Sequence, residues 1–87
     1  MTAPTKMVLR ELLSAHQENH KLYGLEICDL TGLGHGTVYP ILDRLAEEGF
    51  AQNQKEDKKD RVGQGRPLRI YYWLTEKGVK KANSIRY

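Results

Sequence analysis

Apolar residues recur three and four positions apart through the first half of the chain and at every second position near residue 70. Met7, Val8, Leu12 and Leu13 form a stripe at helical spacing, which predicts a first helix from Pro4 and Thr5 to about His16. Leu22 and Tyr23 make a short extended stretch closed by Gly24. A second short helix is predicted over Leu25 to Leu30, with Leu25 and Cys28 facing inward and Ile27 at the margin. Thr31 to His35 reads as a turn. Val38, Ile41, Leu42 and Leu45 then line one face of a third helix over about residues 35–48, stopped by Gly49, the residue type that most easily takes a left-handed helix end.

Beyond Gly49 the period changes. Phe50 to about Glu56 predicts a strand, Asp57 to Gln64 a polar loop, and Leu68 to Leu74 a second strand. Leu68, Ile70, Tyr72 and Leu74 share one face of it, and Arg69, Tyr71 and Trp73 the other. Thr75 is placed to cap a last helix, with Glu76 in its first turn. Two helices joined by a tight turn and followed by a two-stranded ribbon follow the plan of a winged helix-turn-helix. The predicted class is therefore α+β: three helices, a two- to three-stranded β-wing and a short C-terminal helix. Residues 1–87 make one domain, with the recognition helix at about 35–48 and the wing at about 50–74, its loop at 57–66.

The stretch GLGHGTVYPILDRL, residues 32–45, places three glycines and a proline around the start of the third helix. A phosphate-cradling glycine loop follows a buried strand, and the P-loop kind ends in lysine; here a short helix precedes and Thr37 and Val38 follow. The glycines fit a turn between crossed helices instead. Pro40 has no amide for the carbonyl of Gly36, so one ladder bond is missing near the helix start, where glycine adjusts most easily. That loose first turn is shaped for a partner.

Charge sharpens the picture. Residues 1–51 hold 4 basic and 7 acidic side chains, residues 52–69 hold 6 and 3, and residues 70–87 hold 4 and 1. The C-terminal half thus presents a positive field suited to a polyanion. Eighty-seven residues leave little room for an enclosed catalytic pocket, and no Ser-His-Asp or Cys-His spacing occurs, so no enzyme is expected. Cys28 is the one cysteine, which excludes an intramolecular disulfide and fits a reducing cytoplasm. No apolar run reaches the ~20 residues of a membrane span, and no secretory signal is seen. His16 and His20 stand four apart, but no third ligand is evident, so neither a metal nor another cofactor is expected.

Two longer motifs carry a family resemblance. GTVYPILDRLAEEGF, residues 36–50, resembles the recognition-helix signature of the PadR family of transcriptional regulators, and GRPLRIYYWLTEKG, residues 65–78, its wing-strand signature. YGLEI, residues 23–27, resembles the opening of that family's second helix, and the match spans about residues 6–80. The resemblance implies a DNA-binding winged helix, usually a dimeric repressor and often released by a small ligand, which the sequence does not name. By position it puts Thr37, Tyr39 and Pro40 on the part of the recognition helix that meets DNA, and Arg66 at the base of the wing. Two departures stand out. The serine that family members carry near Gly34 or His35 is missing, and only nine residues follow Gly78, where the family has long dimerisation helices.

His35 and Thr37 are expected near base edges and the Tyr39 hydroxyl at a phosphate, while Arg44 reaches the DNA backbone or pairs with Glu48. Lys58, Lys59, Arg61, Arg66 and Arg69 supply the attraction of the wing. Asp43 and Glu47 turn the rear of the helix away from phosphates. The expected partners are double-stranded DNA and a second copy. The weak homodimer is expected to form through Met7, Leu9, Leu12 and Leu13 of the first helix together with Val79, Ala82, Ile85 and Tyr87. The rival readings are an architectural DNA binder, such as an excision factor of a mobile element, and a winged helix used for protein contact alone.

Overall fold

A computed structural model describes every residue except Val62, Gln64 and Tyr87, and leaves out the side chains of Asp60 and Arg61 as well. Helix α1 (Ala3–Gln17) starts where the Thr2 hydroxyl accepts the Thr5 amide at 3.4 Å, with Pro4 in the first turn. Its inward stripe is Thr5, Val8, Leu9, Leu12 and Ala15, whereas Met7 stands 39% exposed. Strand β1 (Leu22–Tyr23) leads into α2 (Gly24–Thr31), where the Glu26 carboxylate reaches back to accept the Tyr23 amide at 3.3 Å.

Helix α2 corrects one expectation. Ile27 is completely buried and Cys28 half-buried, but Leu25 is 54% exposed. Gly24, Ile27, Cys28 and Thr31 lie at the three- and four-residue steps that share a helix face, and Leu25 falls outside that stripe.

Helix α3 (His35–Glu47) buries Val38, Ile41, Leu42 and Leu45, as its periodicity predicts. Gly34 precedes it without any side-chain cap, and the Val38 amide donates to the Gly34 carbonyl at 3.0 Å. Pro40 lies inside the helix. Gly49 takes φ 79° and turns the chain into β2 (Ala51–Lys55).

The segment expected to be a loop contains a four-residue helix, α4 (Lys58–Arg61), at whose start Asp57 accepts the Lys59 amide at 3.0 Å. Strand β3 (Ile70–Leu74) begins two residues later than expected. Thr75 then caps α5 (Glu76–Ser84), its hydroxyl oxygen accepting the Gly78 amide at 3.0 Å. The three strands form an antiparallel sheet in the order β1-β3-β2, with Leu22 opposite Tyr72 and Ala51 opposite Leu74. Leu22, Ala51, Tyr72 and Leu74 turn inward to a core completed by the α1 and α3 stripes and Ala82 of α5. Tyr71 and Trp73 alternate onto the outer face, half-buried.

The core removes part of the expected dimer surface. Leu9, Leu12 and Ala82 are 0–1% exposed within a single copy. Exposing a leucine to reach a second copy would forfeit about 1.5–3 kcal/mol of burial, more than a small contact returns. Tyr87, the last residue of that surface, lies outside the described residues.

Candidate nucleic-acid interface

The face of α3 opposite its buried stripe presents His35, Gly36, Thr37, Pro40, Asp43 and Arg44 to solvent. Among the described residues, the side chains of His35, Thr37 and Arg44 make no hydrogen bond or ion pair, so the Arg44–Glu48 pair is not formed. The first turn has no side-chain cap, which leaves the start of α3, the positive end of the helix dipole, without a capping side chain among the described residues. Asp43 and Glu47 are exposed further along.

Tyr39 is placed differently from His35 and Thr37. It is half-buried, and its ring lies so close to Gly24 that a Cβ there would overlap it, so a larger residue at the start of α2 would displace the tyrosine. Burial, with a smaller effect of Cys28, raises the pKa of the Tyr39 hydroxyl above the usual phenol value, so at neutral pH it is protonated and able to donate. A cleft of about 390 Å³ opens beside it, lined by Tyr23, Leu25, Asp29, Tyr39, Pro67 and Leu68 among others. It separates the front of the helix pair from the arm leading into β3.

The basic residues of the wing fall into two groups. Lys58 and Lys59 are exposed on α4, while the Arg61 side chain lies outside the described residues. Arg66 and Arg69 are engaged within the protein. Arg66 grips Glu56 through two parallel bonds, Nη1 to Oε1 and Nη2 to Oε2, each 2.8 Å. The Arg69 guanidinium sits 4.0 Å over the Tyr23 ring, which meets Tyr71 edge-on at 5.9 Å. Arg66 holds the Glu56 carboxyl down at about 2 against the opposing effect of its burial, with help from the Arg69 amide.

Glu56 was not singled out from the sequence. Its relation to Arg66 depends on strand register: Lys55 opposite Ile70 brings residue 56 alongside residue 69, and that pairing cannot be counted off along the chain.

Two other sequence features take structural roles. Helix α1 ends at Gln17 and Asn19 adopts φ 55°, so His16 and His20 do not share a helix face, and His20 lies 3.5 Å from Glu26. Among the described residues, no group of three or more His, Cys, Asp or Glu could hold a metal ion. Trp73 is covered by Lys21, whose Nζ lies 4.1 Å above the ring. No helix among the described residues is long and apolar enough to cross a membrane.

The helix pair, the turn at residues 32–34 and the β2–β3 ribbon define a winged helix-turn-helix, and solved structures share it. A protein from Ralstonia eutropha JMP134 superposes with TM-score 0.75 at 22% identity, over 97% of this chain and 95% of that one. AF1382 from Archaeoglobus fulgidus gives TM-score 0.78 at 17% identity, over 97% and 81%. Staphylococcus aureus MepR in its DNA-binding conformation gives 0.75 at 19%, with this chain spanning 55% of its length. At these identities the likeness shows the fold. The family follows from the sequence: the model of the transcriptional regulator PadR-like family matches residues 12–84, and the chain belongs to that family. Its members are regulators, not enzymes. No curated protein matches the chain.

Proposed function

We propose that this regulator binds a specific site on double-stranded DNA with the front of α3 in the major groove and the wing along the backbone. The observation that carries this reading is the exposed, unpartnered row of His35, Thr37 and Arg44 beside uncapped helix amides, on an element whose opposite face is fully committed to the core. A hydroxyl and an imidazole at the start of such a helix can reach base edges, and Arg44 can reach a phosphate. Lys58 and Lys59 add attraction independent of sequence. The protein acts in the cytoplasm as a repressor, occluding promoter DNA as two copies that cooperate on paired half-sites.

Binding of the purified chain to fragments of its source genome, followed across a salt titration, tests the reading. Log K should fall linearly against log salt with a slope of about −0.9 for each phosphate neutralised. A protein that is folded by circular dichroism yet binds no duplex at low salt would exclude it. Marked bending of DNA without sequence preference would point to an architectural role instead.

A further inference from the structure

We propose that Glu56 and Arg66 form a clamp that sets the wing on DNA, making Arg66 a positioning residue and not a phosphate ligand. The inference rests on the duplex-binding reading above and deepens it.

A carboxylate in the basic wing is an electrostatic liability. Residues 52–69 carry six basic and three acidic side chains, and each acid repels a polyanion. Asp57 is occupied at the start of α4. Glu56 is occupied more completely. Its side chain is 5% exposed, both oxygens accept from Arg66 at 2.8 Å, and Oε1 also lies 3.3 Å from the Arg69 amide that donates to it. The Glu56 amide in turn donates to the Arg69 carbonyl at 2.8 Å. One residue thereby ties the end of β2 to positions 10 and 13 further along the chain.

The location of this knot gives it a purpose. The β2–β3 ladder ends at the pair Lys55–Ile70, and Lys58 and Lys59 begin just beyond Glu56. Two parallel bonds between a planar carboxylate and a planar guanidinium fix direction as well as distance. The pair therefore carries the geometry of the sheet to the base of the wing, one step past the last ladder bond, and aims the exposed lysines from there. Its own charges cancel, so it adds little long-range attraction for DNA.

Charge-neutral and charge-altering variants separate this clamp from a phosphate contact. In salt titrations of the full chain on a duplex that it binds, Glu56→Gln should weaken binding about tenfold, the equivalent of one lost charge-assisted pair. It should also make the salt slope shallower, although the variant has gained net positive charge. Arg66→Gln should give a similar loss, and the double variant no more than either alone. Arg66→Lys keeps the cation but not the fork, and under the clamp it should behave like Arg66→Gln. Near-native affinity of Arg66→Lys, tighter binding by Glu56→Gln, or losses that multiply in the double variant would each overturn the clamp. Failure of the unaltered chain to bind any duplex would instead remove the DNA-binding reading itself.

Discussion

His35 and Thr37 are exposed side chains with no partner among the described residues, on a turn whose other side is closed by Val38. If they read base edges, Thr37→Ala and His35→Ala should each reduce the preference for a specific site by about 1 kcal/mol or more and leave binding to random duplex nearly intact. Competition binding with both DNAs measures this; equal losses on the two would assign the residues to the backbone. These side chains were legible in the sequence because helical period alone sorts α3 into a buried stripe and an exposed front. Arg66 and Arg69 were legible as basic but not as occupied. Glu56 and Tyr23, which occupy them, are brought there by register and by the packing of β1 against β3. Leu25 shows the complementary difficulty: in a helix of eight residues, a small shift of face decides which apolar residue is buried, and here it is Ile27 while Leu25 and Leu30 stay exposed.

At the scale of the element, α3 has its fewest internal bonds where it is most exposed. Pro40 leaves the Gly36 carbonyl without its ladder amide, and no side chain caps the turn before it. Pro40→Ala restores one backbone bond, so the variant should be more stable by about 1 kcal/mol, the size of a typical net hydrogen bond. If the missing bond shapes the front of the helix for DNA, specific affinity should fall while the melting temperature rises. A variant that gains stability with unchanged affinity would show that the proline has no part in recognition. Helices α1, α3 and α5 and the existence of both long strands were legible, because each has several turns or alternations and a recognisable stop such as Gly49 or Thr75. Helix α4 was not, since four polar residues carry no hydrophobic period. The late start of β3 has the same kind of origin: Arg66 is held by the Glu56 carboxylate, and the Arg69 amide donates to that carboxylate and not to a carbonyl of β2.

For the whole molecule, cooperation between two copies depends on the surface left available. Burial of Leu9, Leu12 and Ala82 leaves exposed Met7 and the half-buried Leu13, Val79 and Ile85 as the apolar positions of α1 and the C-terminal segment. If a second copy meets these positions, the contact is small and the dimer weak, strengthened when both copies lie on half-sites about one helical turn of DNA apart. Sedimentation should show association that depends on concentration, and binding to a palindromic site should be cooperative; a strict monomer saturating a single half-site would refute it. The sheet narrows the choice of contact further. In the order β1-β3-β2, β2 leaves one flank unpaired among the described residues, and after Ala51 it reads Gln52, Asn53, Gln54 and Lys55, all exposed. A short polar border ending in lysine is a poor template for a strand from another chain. Growth by sheet extension from β2, the common route from an open edge to aggregation, is thereby discouraged.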